Sequence, residues 1–252
     1  MIMDIKDKLV IVTGGVKGIG NALVNEFIKE GATVGIFDID KEGFDNLKIN
    51  NSENIHFFEC DITDYMQVED SVNKFYNKFK GIDVLVNNAG ILYSAPLISL
   101  AEGKLKKHDI EMWHKVLSID LTSVFYLTVN VVEKMIIKRT KGVIVNISSV
   151  AAAGNAGQSA YSAAKAGVNA LTKTWAKELG LWGIRVVGIA PGYCGTESTY
   201  EVMGQEALKE VKSEIPLRRL GEPEEIAAGV ISVVKNDYIH GKILEIDGGL
   251  SI

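Results

Sequence analysis

Short runs of apolar, mostly β-branched residues recur along the chain at Leu9 to Thr13, Thr33 to Phe37, Ile55 to Phe58, Val84 to Val86, Val143 to Ile147, Val186 to Ile189 and Ile243 to Ile246. Each has the length and composition of a strand buried on both faces. Segments whose apolar positions follow helical spacing lie between most of them: Ile19 to Lys29, Met66 to Phe79, Ile110 to Lys138, Tyr161 to Leu179 and Glu224 to Val234. This alternation predicts right-handed βαβ units and a parallel sheet covered on both sides. No Pro-, Gly- or Ser-rich linker, repeat or low-complexity tract divides the chain. Residues 1–252 therefore read as one α/β domain, a Rossmann-type doubly wound parallel sheet with helices on both faces.

Composition adds exclusions to this picture. Of the 252 residues, 47% are apolar and 23% charged, ordinary proportions for a chain that buries a core. A net charge of -5, with lysines scattered among carboxylates, supplies no positive field for a phosphate backbone, so no nucleic-acid partner is expected. The first residues carry two aspartates, and the apolar run at Leu9 is too short for a signal-peptide core or a membrane span. A cytoplasmic protein with no membrane partner is the expectation. Two cysteines, Cys60 and Cys194, have neither disulfide density nor ligand spacing, and the four histidines show no paired pattern, so no metal is expected.

The first strand runs into Thr13-Gly-Gly-Val-Lys17-Gly-Ile-Gly20 and then a helix. Glycines there let the backbone turn tightly and approach a pyrophosphate, while N–H groups at the helix start face the anion. Gly14, Lys17, Gly18, Ile19 and Gly20 are the candidate contacts. Eighteen positions past Gly20, Asp38 ends the second strand, where a carboxylate accepts from ribose hydroxyls and repels a 2′-phosphate. Lys17 pulls the other way, since it could pair with that phosphate. Asp38 carries more weight, because Lys17 can swing into solvent, and NAD is expected over NADP.

Further motifs follow: Asn87-Asn88-Ala89-Gly90, Tyr161-Ser-Ala-Ala-Lys165, Pro191-Gly192 and Asp247-Gly248-Gly249. With the glycine turn, they make the chain resemble, over essentially its whole length, a short-chain dehydrogenase/reductase of the compact kind. The resemblance implies interconversion of a secondary alcohol and a ketone, with hydride carried by the nicotinamide. Tyr161 and Lys165 stand four apart and share a helix face. A free phenol is a poor base at neutral pH, and a nearby ammonium favours its phenolate; in reduction the phenol gives its proton to the carbonyl oxygen.

A serine should hydrogen-bond the substrate oxygen, and Ser148 and Ser149 both stand at a strand end. The family's usual count back from Tyr161 points to Ser148, while matching the Asn-Ile-Ser-Ser strand end points to Ser149. Strand register fixes side-chain direction more firmly than a loop, which favours Ser149 and leaves Ser148 open. Where the family usually carries an asparagine that holds a water in a proton relay to the lysine, this chain has Asp120, the candidate fourth catalytic residue. Ionised, it accepts but does not donate, so it can anchor the water while biasing the relay or the charge state of Lys165. By resemblance also, Asp61 and Ile62 reach the adenine, Asn87, Asn88, Ala89 and Gly90 line the cofactor groove, and Pro191, Gly192 and Thr196 hold the carboxamide. Cys194 is a small neighbour there, not a nucleophile.

The connection from Ile91 to Met112, with its Lys104-Leu-Lys-Lys-His-Asp109 run, is longer than the family's usual one and reads as a solvated charged loop or subunit contact, with contact to an anionic substrate as the alternative. Residues about 193–216 form the expected substrate lid, with Tyr200, Val202 and Met203 facing a partly apolar pocket. Small residues Ala160, Ala163, Ala164, Gly167 and Ala170 permit close approach of another helix. With the long Ile110 to Lys138 helix they resemble the four-helix subunit interface common in the family, and that resemblance implies a homotetramer, or else a homodimer. The expected substrate is a small molecule: a polyol, sugar or other hydroxy compound. A 3-oxoacyl-thioester reductase is the alternative, close in resemblance around Gly142 to Gly167 although such enzymes generally favour NADPH. An NAD-binding regulatory protein without catalysis is the third.

Overall fold

A computed structural model describes residues 3–47, 52–101 and 103–250. The order of elements is β1 (Leu9–Thr13), α1 (Gly18–Lys29), β2 (Thr33–Asp38), α2 (Lys41–Asp45), β3 (Ile55–Glu59), α3 (Tyr65–Phe79), β4 (Val84–Asn87), β5 (Ile98–Ala101) and β6 (Lys104–Lys107). Then come α4 (Ile110–Leu117), a π-helical turn (Ser118–Thr122), α5 (Ser123–Lys138), β7 (Val143–Ile147), α6 (Ser159–Leu179), β8 (Arg185–Pro191), α7 (Glu197–Val202), α8 (Gln205–Glu214), α9 (Pro223–Lys235) and β9 (Ile243–Ile246). Seven strands form one parallel sheet in the order β3-β2-β1-β4-β7-β8-β9.

Alternate residues of each central strand leave the sheet on opposite faces, and both faces are apolar, which is why no polar periodicity shows in the sequence. Val10, Val12, Val84, Val86, Val143 and Val145 pack beneath α1 and α9, with Leu23, Phe27, Val230 and Val234. Ile11, Leu85, Ile144 and Val186 meet α3, α5 and α6 on the other face through Phe75, Leu127, Val131, Val168 and Trp175. One polar line crosses the sheet interior. Asn87 donates to Asn146 (2.8 Å) and Thr128 (3.1 Å), and Asn146 donates to Thr172 (2.9 Å), so both amide nitrogens lie buried with partners, while Asn87 Oδ1 has none among the described residues.

The strand order reverses between β1 and β4, which opens a crevice at the carboxyl ends of these strands. The loops after β1, β2, β4, β7 and β8 all empty into it. The chain between β4 and α4 is not a plain loop. Ile98 to Lys107 form an antiparallel hairpin in which Leu100 faces Leu105 and Ala101 faces Lys104, with Gly103 at φ +76° in the turn.

The long helix expected from Ile110 to Lys138 is continuous but widened at Ser118–Thr122 by the π-turn. This helix is long and apolar enough, by composition, to cross a membrane, yet Val116, Leu127, Val131 and Met135 are spent on the core. Phe125, Val129 and Ile137 remain exposed on its outer side.

Three of the small residues of α6 serve a contact within the chain. Ala160 and Ala164 are buried against Val116, and a Cβ on Gly167 would press on Leu121, so these three let α6 close on α4 and the π-turn of the same chain. Ala163 and Ala170 are exposed. The segment expected to form the lid is two helices, α7 and α8, broken at Gly204. Its Tyr200 is exposed and Met203 half-buried against Val211 and Ile215, while the Val202 side chain lies outside the described residues.

Candidate active site

The crevice is a cavity of about 920 Å³, of a size to hold a dinucleotide and a small substrate. At one end, β1 stops at Thr13, whose hydroxyl oxygen accepts from the backbone N–H groups of Asn88 and Ala89, both at 3.0 Å. Asn88 returns two side-chain bonds to the carbonyls of Thr13 and Gly14. These bonds fix the β1 and β4 loops to one another. Gly14 takes φ +63° with Ala89 close against it, and a Cβ on Gly20 would collide with the Gly14 carbonyl. Only glycine fits these positions.

No side chain caps the start of α1, and no acidic residue lies in its first turn. Its free N–H groups therefore face the cavity, as an anion-binding turn requires. Asp38 holds the mouth of this turn. One oxygen of its carboxylate accepts from Val16 N–H (3.2 Å) and the other from Asp40 N–H (3.1 Å). Lys17, the residue that could have favoured a phosphate, is drawn 2.7 Å from Asp40. That hydrogen bond and charge raise the lysine's pKa and lower that of Asp40. Sequence reasoning did not single out Asp40; its signal is a second carboxylate two positions after the strand-end aspartate. The glycine cradle, uncapped helix start and paired carboxylates fit a nicotinamide dinucleotide.

Asp61, Ile62, Ala89 and Gly90 also line the cavity, as do Ile19, Pro191, Gly192, Cys194 and Thr196. Asn87 does not, because its amide is consumed in the buried line beneath the sheet. The groove expectation is corrected to Asn88 at this point. Burial pushes the Cys194 thiol up to about 12, with the acidic groups of the α9 start adding to the effect, so it stands as a protonated neighbour.

The other end of the cavity gathers Tyr161, Lys165, Ser148, Ser149 and Asp120. Lys165 Nζ lies 5.5 Å from the centre of the Tyr161 ring and donates to the Ile147 carbonyl at 3.1 Å. The two serines are held differently. Ser148 is 2% exposed and its hydroxyl donates back to the Lys165 carbonyl at 3.3 Å. Ser149 is half-buried on the cavity wall; its hydroxyl oxygen accepts from Ala151 N–H at 3.2 Å, a bond that does not use its own proton.

Asp120, at the π-turn, is fully buried beside Lys165, with Oδ2 at 3.3 Å from Nζ. Its Oδ1 accepts from Ile91 N–H at 2.9 Å. Burial raises its pKa, with the lysine opposing; Lys165 is held above its ordinary value because Asp120 and Tyr161 outweigh the desolvation of its own ammonium. Ile91, Leu92, Lys115, Val150, Asn155, Gln158 and Tyr193 also line the cavity, none of them singled out from sequence as a site residue. Apart from Lys115 of α4 they come from the segments after β4, β7 and β8, which no local motif ties together. Such an arrangement can hold a carbonyl between a hydroxyl and a phenol beside a fixed ammonium.

A family model described as short chain dehydrogenase matches residues 8–207. The chain belongs to the short-chain dehydrogenase family. Among its relatives, a 3-oxoacyl-acyl-carrier-protein reductase of Thermotoga maritima is 41% identical over 99% of this chain and 100% of its own length. One of the same description from Chlamydia pneumoniae is 38% identical over 97% of each chain. A sorbitol-6-phosphate 2-dehydrogenase of Klebsiella pneumoniae is 35% identical over 98% of this chain and 97% of its own. A short-chain dehydrogenase is an oxidoreductase with a nucleotide-binding sheet, in agreement with the motifs that carried the resemblance.

Proposed function

We propose that this short-chain dehydrogenase is an NADH-dependent reductase of 3-oxoacyl thioesters, Tyr161 being the proton donor. The likeness to the Thermotoga maritima reductase, 41% over essentially both whole chains, carries the choice of substrate. It outweighs the earlier expectation of a polyol or sugar. When bound, the nicotinamide supplies the hydride that the ketone carbon receives.

The chain's own residues supply the rest. Ser149 donates its hydroxyl proton to the ketone oxygen and orients it, and Tyr161 gives that oxygen a proton as charge develops on it. Lys165 holds a positive charge beside the phenol, and Ser148 braces the helix backbone at Lys165. Asp38 takes the adenosine ribose. With Asp40 occupying Lys17, a 2′-phosphate would meet two carboxylates and one neutralised cation, which supports NAD over NADP. The apolar side of the mouth, Ile91, Leu92 and Val150, suits an acyl chain. The exposed Phe125, Val129 and Ile137 suit subunit contact in a cytoplasmic homotetramer, with no nucleic acid or membrane as partner.

A polyol-phosphate dehydrogenase is the second reading, favoured by the sorbitol-6-phosphate relative together with Asp38. The deciding experiment measures kcat/KM with NADH and NADPH for acetoacetyl thioesters, and with NAD⁺ and NADP⁺ for polyols and their phosphates. NADH-linked thioester reduction at least tenfold above every polyol supports the proposal. Polyol oxidation as the dominant activity would replace it with the second reading, and nucleotide binding without turnover would leave a binding protein.

A further inference from the structure

Asp120 has no role in the chemistry just described, yet it is the most deeply enclosed carboxylate on the cavity wall. Its position is over-determined. The π-turn carries it inward, the Ile91 amide fixes Oδ1, and a Cβ on Gly90 would come within 2.8 Å of Oδ2 and 3.4 Å of Lys165 Nζ. Glycine at position 90 thus leaves just enough room for the two charged groups to face one another.

Building on the Tyr161 reading, we infer that Asp120 is a positioning residue that locks Lys165 as a permanent ammonium, so that the lysine acts as a fixed charge and not as a proton carrier. The reason is what deprotonation would leave behind. A neutral lysine would strand a carboxylate with 0% exposure and one backbone N–H for a partner, a costlier state than the intact pair. Burial alone would push the lysine down, but the carboxylate more than offsets it.

The groups facing Nζ can be named element by element. α6 contributes Tyr161, β7 only the Ile147 carbonyl, the segment after β4 only the backbone around Gly90, and the π-turn Asp120. Lys115 of α4 is a further cation on the cavity wall and is exposed. Asp120 is thus the single anion described against the ammonium. Its second anchor, at Ile91, ties the same charge to the substrate end of the cavity.

The test is the pH dependence of reduction in Asp120→Asn, Asp120→Glu and the unaltered enzyme. Removing the charge leaves the ammonium unopposed, so that either the lysine discharges or the phenol gives up its proton earlier. Both move the alkaline limb of kcat toward lower pH, by about one pH unit for a tenfold change in protonation equilibrium. Asp120→Glu should keep the limb in place even if its rate falls. A limb that stays fixed in Asp120→Asn, or moves to higher pH, overturns the inference.

Should Asp120→Asn not fold, the unaltered protein decides by nitrogen NMR of Lys165, assigned by loss of the signal in Lys165→Met. An ammonium signal persisting above the ordinary lysine titration supports the lock, and a neutral amine below it overturns it. Turnover retained by Tyr161→Phe would instead contradict the proton-donor reading and leave the lysine signal as the separate measure of the pair.

Discussion

At the residue scale, cofactor choice rests on how three charges divide. Asp38 uses its oxygens on Val16 and Asp40 backbone groups, and Asp40 uses its side chain on Lys17. The sequence put Asp38 and Lys17 in opposition and gave Asp38 the greater weight, on the ground that Lys17 could swing into solvent. In the structure the lysine is instead paired with Asp40, which supports the proposed preference for NADH. Asp38→Ala should therefore raise the NADPH to NADH ratio of kcat/KM by about tenfold or more, the equivalent of ~1.4 kcal/mol of relieved repulsion. Initial rates with both cofactors measure it; an unchanged ratio would remove Asp38 from cofactor selection. The serines show the same division of labour: adjacent in sequence, one is tied to the Lys165 carbonyl and the other accepts from Ala151 without using its own proton.

At the element scale, the strands and the principal helices were legible because buried parallel strands and amphipathic helices leave different periods in the sequence. The β5–β6 hairpin was not. Its signal exists, an alternation of Ile98 and Leu100 answered by Leu105 around Gly103, but lysines fill the intervening positions and the segment is short. The π-turn was equally hidden, since one extra residue in a helical turn barely disturbs an apolar stripe. Leu100 and Leu105 are 73% and 75% exposed, so the hairpin lends little to the core. Replacing residues 98–107 by a short Gly-Ser turn should leave the melting temperature within a few degrees, about the shift that 1 kcal/mol produces in a domain this size, while raising KM for substrate. Calorimetry and steady-state kinetics read the two effects. A collapse of the folded state would show that the hairpin is structural.

At the scale of the whole molecule, the family and the doubly wound sheet followed from motifs spread over the full chain, whereas the substrate did not. The cavity wall beside Tyr161 includes Ile91, Leu92, Val150, Asn155 and Tyr193, residues brought together only by folding. Assembly is likewise a property of surfaces: Phe125→Glu with Val129→Glu should reduce a tetramer to smaller species in light scattering, and an unchanged mass would place the interface elsewhere. The central claim is proton donation by Tyr161 to a 3-oxoacyl thioester. Its most direct test is kcat for NADH-dependent reduction of an acetoacetyl thioester by Tyr161→Phe, with NADH affinity measured in parallel. The account predicts a loss of at least about 10²-fold in kcat, the scale of a positioned general acid, with NADH affinity little changed. Turnover within a few-fold of the unaltered enzyme would contradict it.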